Sequence, residues 1–359
     1  MRVLVIGANL DRPEANVFAG LSKRGVSLHY LGMPTPEHLK VLQEAGIAVT
    51  FHSFTNRFDL KGIRLIQEVV RSEKIEIVYA LSNRGLSCSV LARLDRSVRL
   101  FTYRGTVGHI SWLDPSSWLT YLNPRVSKIL CVSDAVSAYM REVGIAAEKV
   151  VRIYKGHDTA WYQQACPPPR SSLGLPEDAF VVGCTAVMRP VKGVDVLIKA
   201  VGSLLQELPK LHLLLIGPIK DKEIERLLKM FPEPSRLHLT GYRADAAALA
   251  PLCDATVMAS KTREGFPKSI VESMSQGIPA IVTAVGGMPE LVDNGSAGVL
   301  IPPSNVEALA DAIRSLYNDR SRAKNLGALG EARIKAVFNI QTTIEETYRV
   351  FSGEVSPQN

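Results

Sequence analysis

The sequence predicts an α/β protein built from two tandem, doubly wound parallel-sheet domains. Three observations predict it: the length, an alternation of short apolar runs with amphipathic stretches that occurs twice, and a stiff polar break between the two series. At 359 residues the chain suits two domains of roughly 100–200 residues each. Hydrophobic residues make up 46%, enough for a core in each half. Charged residues make up 21%, a balance unlike that of a disordered chain or a membrane bundle. No apolar run approaches the roughly 18–20 residues that span a bilayer.

Residues 1–7 (MRVLVIG) read as a first strand, too short for the apolar region of a signal segment. Further strands are expected at 27–31, 48–51, 76–80, 100–103, 128–132 and 150–153. Helical stretches fall between most of them, at 16–24, 36–45, 60–72 and 135–143. Alternation of this kind argues for a parallel sheet covered on both faces. The segment 166–172 (CPPPRSS) then has no periodicity and reads as a stiff linker. The second series has strands at 180–186, 212–216, 237–240, 255–258 and 280–283. Its helices are at 194–207, 222–230, 246–251, 268–276, 306–317, 320–336 and 342–351. The expected domains are 1–160 and 179–337, with a linker at 161–178. The segment 338–359 is a final helix and tail. In such sheets ligands sit at the carboxyl ends of the strands, and with two domains the crevice between them is the expected site.

Five cysteines, Cys88, Cys131, Cys166, Cys184 and Cys253, are scattered, mostly in apolar runs, with no CxxC pair or Cys/His cluster. They read as reduced, buried thiols of a cytoplasmic protein. The net charge of +7 is uneven: residues 1–153 hold 20 basic against 13 acidic side chains, and the rest of the chain holds 22 of each. A basic first half suits an anionic lipid surface, a phosphorylated acceptor or nucleic acid. A merely solvated basic surface accounts for it as well. No nucleic-acid motif or interleaving of aromatic and basic residues is present, so nucleic acid is not expected as a partner.

The most informative stretch is 255–303. A buried strand ends near Met258, a polar loop follows, and a helix starts near Pro267, a favoured first helical position. Gly265 would let the backbone approach a ligand. The N–H groups of Phe266, Lys268 and Ser269 lie at the positive end of that helix, where an anion such as a sugar diphosphate would sit. Glu264 and Glu272 flank the junction eight positions apart, and carboxylates bind hydroxyl groups strongly. A lone pair of this kind is more often two solvated helix charges; here it brackets Gly-Phe-Pro at a strand-to-helix turn. Upstream, Arg189 and Lys192 lie on a loop between the strand ending at Ala186 and the helix after Gly193. Two fixed cations stabilise a departing pyrophosphate without a metal ion; the bland reading is two solvated loop charges.

With these residues in view, the second half resembles the nucleotide-sugar domain of the GT-B glycosyltransferases, specifically the retaining "group 1" enzymes of family four. The motifs that carry the resemblance are Glu264-Gly-Phe-Pro-Lys-Ser-Ile-Val-Glu272, Arg189 with Lys192-Gly193, Gly286-Gly287-Met-Pro-Glu290 and Asn294-Gly295-Ser-Ala-Gly298. The resemblance covers 180–317 firmly. It implies two Rossmann-like domains in the GT-B arrangement, with the C-terminal helix returning to the N-terminal domain, and it puts Arg189 and Lys192 on the donor diphosphate. It places Glu264 and the backbone of Phe266, Pro267 and Lys268 on the donor sugar, Glu272 on the ribose, and Tyr242 near the base. It implies no metal and no cofactor; the nucleoside diphosphate sugar is a substrate.

In the first half, the loop 103–109 (YRGTVGH) follows a strand and is flanked by glycines. By resemblance it carries a functional histidine, here His109, acting on the donor sugar or the acceptor hydroxyl; a structural hydrogen bond is the alternative. Arg104 is a further candidate for an anionic group. The first loop, Gly7 to Glu14, lacks the Gly-Gly pair of many relatives and offers Asp11 and Arg12 on the acceptor side. The stretch 57–74 mixes Arg57, Lys61, Arg64 and Arg71 with Leu60, Ile63, Leu65, Ile66 and Val69. It is either a surface helix or one that lies on an anionic membrane. Trp112 and Trp118 either pack in the core or contact a lipid or sugar acceptor.

The function this implies is transfer of a hexose from a nucleoside diphosphate sugar to a saccharide or lipid-linked saccharide in a polysaccharide or lipopolysaccharide-type pathway. The enzyme would be cytoplasmic, peripheral at the inner membrane face, retaining and independent of metal. No residue near the donor reads as a covalent nucleophile. A GT-B-like nucleotide-sugar epimerase and a donor-binding relative without turnover are the alternatives.

Overall fold

Strands rich in Val, Leu and Ile and buried along their length belong to parallel sheets covered by helices. The chain begins with such a strand, β1 (Arg2–Ile6), exposed only at its first residue. The computed structural model describes residues 1–163 and 166–354. Residues 164–165 of the expected linker and 355–359 of the expected tail lie outside the described residues. The chain divides into two units: Met1–Gly156 with the segment from Ile340 onward, and His157–Asn339.

In the first unit β1 is followed by α1 (Arg12–Lys23), β2 (Ser27–Gly32), α2 (Pro36–Glu44), β3 (Ala48–Phe51), α3 (Leu60–Ser72) and β4 (Ile77–Ala80). Then come α4 (Asn83–Leu91), β5 (Arg99–Arg104), α5 (Pro115–Trp118), β6 (Val126–Cys131), α6 (Asp134–Glu142) and β7 (Val150–Arg152). Among the described residues seven strands form one parallel sheet, ordered β3-β2-β1-β4-β5-β6-β7. The order reverses between β1 and β4, as doubly wound folds require.

The second unit runs α7 (Ala160–Gln163), β8 (Phe180–Thr185), α8 (Val194–Leu204), β9 (Leu211–Ile216), α9 (Lys222–Lys229), β10 (Leu237–Gly241) and β11 (Ala255–Met258). It continues with α10 (Lys268–Met274), β12 (Ala280–Thr283), α11 (Met288–Leu291), β13 (Val299–Ile301), α12 (Val306–Asn318) and α13 (Arg320–Val337). Among its described residues six strands form a parallel sheet ordered β10-β9-β8-β11-β12-β13, with the reversal between β8 and β11. Its core packs α8, α9, α12 and α13 onto β8, β9, β11 and β12 through Leu197, Val201, Leu213, Leu215, Val257, Ile281 and Ile313, among others.

The last helix, α14 (Ile340–Ser352), returns to the first unit and lies along α1. The contact is close: a Cβ on Gly20 would fall 2.3 Å from Ile344 Cδ1.

Several expected elements differ. Helix α1 starts at Arg12, four residues earlier than the apolar pattern suggested. Asp11 caps it, accepting from Glu14 N while the Glu14 carboxylate accepts from Asp11 N, a capping box. Asp11 and Arg12 are therefore the cap and first residue of a helix, not members of an open loop. The stretch 246–251 is a 3₁₀ segment, Ala246–Leu252, with Pro251 inside it. Helix α4 and strand β13 were not expected. Cys88 lies on α4, Cys253 precedes β11, and Cys166 is exposed, so the description of the cysteines as buried holds for the other four.

Candidate functional site

The reversal point of the second sheet is where a ligand crevice is expected. Strand β8 ends at Thr185 and its neighbour β11 at Met258; both residues border a cavity of about 480 Å³. The loops after β8 and β11 line it, the loop after β12 packs behind the second of them, and two glycines let the three meet. Gly193 has φ 67°, and a Cβ there would sit 1.8 Å from the Ala259 carbonyl oxygen. Gly286 has φ 56°, and its Cβ would sit 1.5 Å from the Glu264 carbonyl oxygen. No side chain fits at either position, so the loops after β8 and β12 press directly onto the loop after β11. Lys261, on the loop after β11, ties it to the segment after β8: its N–H donates to the Val191 carbonyl at 2.9 Å, and its ammonium meets Asp195 Oδ2 at 2.7 Å.

Glu264 sits where the loops converge and is 8% exposed. Its Oε2 accepts from Lys192 Nζ at 2.7 Å and from Ser260 Oγ at 2.8 Å. Ser260 is fully buried, and its own carbonyl accepts from Thr283 Oγ1 at 2.6 Å. A buried carboxylate is stable only when paired and hydrogen-bonded, and this one has both. Arg263, just before it, adopts a left-handed φ of 62°, the kind of backbone strain that collects at functional sites. Arg189 borders the same cavity, exposed, with no side-chain partner among the described residues.

The far wall is α10. Pro267 precedes its first turn and no side chain caps it. Lys268 reaches Glu272 Oε1 at 3.3 Å one turn on. The Phe266 ring packs against Phe338 at 5.0 Å. The structure thus gathers Arg189, Lys192, Glu264, Phe266, Pro267, Lys268, Ser269 and Glu272 around one cavity. Two expected members stand apart. Gly265 does not line it; its carbonyl accepts from Gly287 N at 3.1 Å. Tyr242 is 78% exposed after β10 and is not in the wall. Ser260 and Lys261 were not singled out in the sequence. A polar residue two positions beyond the end of a buried strand and four before Glu264 was the available signal.

Cys184 lies beneath this wall on β8. Burial pushes its thiol up to about 12, with Lys192 acting weakly against it, so it holds no thiolate for nucleophilic attack at neutral pH. Among the described residues no group of His, Cys, Asp and Glu is placed to hold a metal ion.

In the first unit, His109 is exposed on the loop after β5 with a left-handed φ of 67°. Arg104 is buried: its guanidinium donates to the Gly108 carbonyl and lies over the Tyr121 ring at 4.7 Å. It braces the loop that carries His109 instead of facing solvent as an anion receptor. Asp11 Oδ2 is 2.6 Å from Lys155 Nζ, which also meets Glu14 Oε1 at 2.9 Å. Burial pushes the Glu14 carboxyl up, against Lys155. Burial draws the Lys155 ammonium down, but Glu14, Tyr103 and Asp11 more than offset it and hold it above the usual lysine value. Asp11 is thereby committed to a helix cap and an ion pair.

The family model described as glycosyl transferases group 1 matches residues 169–333, and that of glycosyltransferase family 4 matches residues 15–161. N-acetyl-alpha-D-glucosaminyl L-malate synthase of Bacillus anthracis is 22% identical over 92% of this chain and 90% of its own length. The lipopolysaccharide core biosynthesis mannosyltransferase LpsB of Rhizobium meliloti is 26% identical over 63% of this chain and 65% of its own length. Among solved structures, HepE of Anabaena in complex with UDP-glucose has a TM-score of 0.80 at 21% identity, over 98% of this chain and all of that one. That likeness is one of fold, and it agrees with the GT-B architecture expected from the sequence.

Proposed function

We propose that this chain, which belongs to the group 1 glycosyltransferases, moves a hexosyl group from a nucleoside diphosphate sugar to a saccharide or lipid-linked saccharide. The observation that carries the reading is the pairing of Lys192 with Glu264, beside the exposed Arg189, in a cavity of about 480 Å³. A nucleoside diphosphate sugar is anionic in its middle and rich in hydroxyls at both ends. Arg189 and Lys192 match the diphosphate. Glu264 matches the hydroxyls of the transferred sugar, and Glu272 those of the ribose. The crystal complex of HepE with UDP-glucose and the name of LpsB support a UDP-linked hexose as the first donor to try and a cell-surface glycan as the product class.

In this mechanism the anomeric carbon–oxygen bond to the diphosphate breaks as the acceptor hydroxyl approaches on the leaving group's side. The departing phosphate oxygen takes the acceptor's proton, so the anomeric configuration is retained. Arg189 and Lys192 stabilise the negative charge that grows on the diphosphate, and they do so without a divalent cation. Lys192 also ties Glu264 in place, so the sugar's hydroxyl anchor and the phosphate anchor move as one. His109 would contact the donor sugar or the acceptor hydroxyl from the loop that Arg104 braces.

The test has three parts. A thermal-shift screen of nucleotide sugars ranks the donors, because stabilisation follows affinity. Glu264→Gln and Arg189→Ala are then expected each to lower kcat/KM on the order of 10²–10³-fold, with activity unchanged by a metal chelator. Transfer and donor hydrolysis persisting at the wild-type rate in both variants would refute the reading. Donor binding without transfer to any acceptor would mark a binding protein, and an isomerised donor would mark an epimerase.

A further inference from the structure

Five large apolar side chains are exposed on two adjoining loops of the first unit. Phe58 and Leu60 lie where α3 begins; Trp112, Leu113 and Trp118 lie after β5 and at the end of α5. Arg57 joins the loops, its Nη1 donating to the Ser116 carbonyl at 2.9 Å. Single exposed apolar residues are ordinary, but a cluster of them marks an interaction surface.

The two tryptophans show what kind of surface this is. Their rings meet edge to face at 5.1 Å. Trp112 Nε1 donates to the Val143 carbonyl at 2.6 Å, and Trp118 Nε1 donates to the Trp112 carbonyl at 2.9 Å. Both polar handles are thus satisfied inside the protein, so the rings can leave water without losing a hydrogen bond. Leu113 is 94% exposed and stands out between them. Next to this apolar tip, α3 presents Lys61 and Arg64, both exposed and neither with an acidic partner among the described residues. The charge of the chain is divided in the same sense. Residues 1–156 and 340–359 hold 22 basic against 16 acidic side chains, a net +6, while 157–339 hold 20 against 19, a net +1.

We propose that the Phe58–Leu60 and Trp112–Leu113–Trp118 patch, with Arg57, Lys61 and Arg64, docks the first unit onto an anionic lipid bilayer. The apolar tip enters the boundary between headgroups and acyl chains while the cations remain at the lipid phosphates. The net positive charge of this unit and the exposed Lys61 and Arg64 beside the apolar tip match an anionic lipid surface. The proposal deepens the reading of a lipid-linked acceptor and rests on it for its purpose, since docking brings the enzyme to the plane in which such an acceptor lies.

The experiment is flotation of the full chain, without donor or acceptor, on vesicles of phosphatidylcholine alone or mixed with phosphatidylglycerol. The protein is expected to float with the anionic vesicles, to ignore the zwitterionic ones and to be released by salt. Leu60→Asp with Leu113→Asp, and separately Lys61→Glu with Arg64→Glu, are each expected to weaken partitioning on the order of tenfold or more. All four side chains are exposed, so folding is retained; an unchanged thermal shift with nucleoside diphosphate checks this. Failure of the wild type to float, or equal flotation of the variants, overturns the proposal. A concentration-dependent dimer that Leu113→Asp dissolves, without vesicle binding, identifies self-association and overturns it too. Transfer to a soluble acceptor is measured separately, so a wild type that transfers the sugar but does not float refutes this inference and leaves the proposed function standing.

Discussion

At the scale of single residues, the geometry assigns Ser260 a positioning role that its chemistry alone would not suggest. Its hydroxyl and the Lys192 ammonium converge on the same oxygen of Glu264, from 2.8 and 2.7 Å. Replacing it by alanine leaves the carboxylate with one restraint where it had two. Ser260→Ala is expected to cost about 1.5–3 kcal/mol of stability, the worth of a hydrogen bond to a charged group. It is also expected to lower kcat about tenfold while KM changes little, because a loosened anchor harms the reacting geometry more than binding. Steady-state kinetics beside chemical denaturation would separate the two effects; a stability loss with unchanged kcat would reduce Ser260 to a packing role. The acidic pair and the two cations were legible in the sequence, being charged residues at spacings that a strand–loop–helix junction explains. Ser260 was not, because its role depends on where Glu264 folds back. The need for Gly193 and Gly286 was equally hidden, since each faces a backbone carbonyl far away in sequence, at Ala259 and Glu264.

Single elements show why some of the fold could be read and some could not. Strands β8 and β9 are dominated by apolar residues, with Phe180, Val181 and Val182 in the one and Leu213, Leu214, Leu215 and Ile216 in the other, and such runs declare themselves. Helix α4 (Asn83–Leu91) does not, because its buried side includes Gly85, Ser87, Cys88 and Ser89, which make no apolar stripe. Those serines are tolerated inside because each bonds back within the helix, Ser87 Oγ to the Asn83 carbonyl at 2.9 Å and Ser89 Oγ to the Gly85 carbonyl at 2.8 Å. At the sheet edge, β9 and β10 hold a histidine pair. His238 Nδ1 lies 3.0 Å from the Leu173 carbonyl and so carries hydrogen, which leaves its Nε2 to accept from His212 Nδ1 at 2.9 Å. Burial lowers both pKa values from 6.5, and for His212 the neighbouring His238 lowers it further. The folded pair therefore refuses protons that the unfolded chain accepts. Stability is full above pH 6.5 and is expected to fall as the pH drops below it. Urea titrations from pH 7.5 to 5 should show this decline, and His212→Phe should flatten it. An identical decline in that variant would place its cause elsewhere.

For the whole molecule, a doubled βα alternation was visible because every strand buried on both faces repeats the same apolar signature. The destination of the last helix was not visible in that pattern. An amphipathic stretch announces that it has an apolar face, not which surface receives it; only the family resemblance indicated the first domain. The structure supplies the receiving surface. Gly20 on α1 makes room for Ile344, and Phe351 is fully buried against Tyr79 at 5.5 Å and Phe101 at 5.9 Å. Arg99 Nη2 then donates to the Phe351 carbonyl at 2.7 Å, tying the end of α14 to the start of β5. The first unit is thus completed by residues that follow the second unit in sequence. Truncating Phe351 leaves a cavity between β4, β5 and α14, and Phe351→Ala is expected to cost the first unit about 3–5 kcal/mol. Hydrogen exchange resolved along the chain is the fitting measurement, because it reads local stability. Amides in β1, β4 and β5 should exchange faster in the variant, while those in β8 and β9, held by the separate core around Leu197 and Leu213, should keep their rates. Uniform acceleration across both sheets, or none in β4 and β5, would show that α14 does not hold the first unit together in this way.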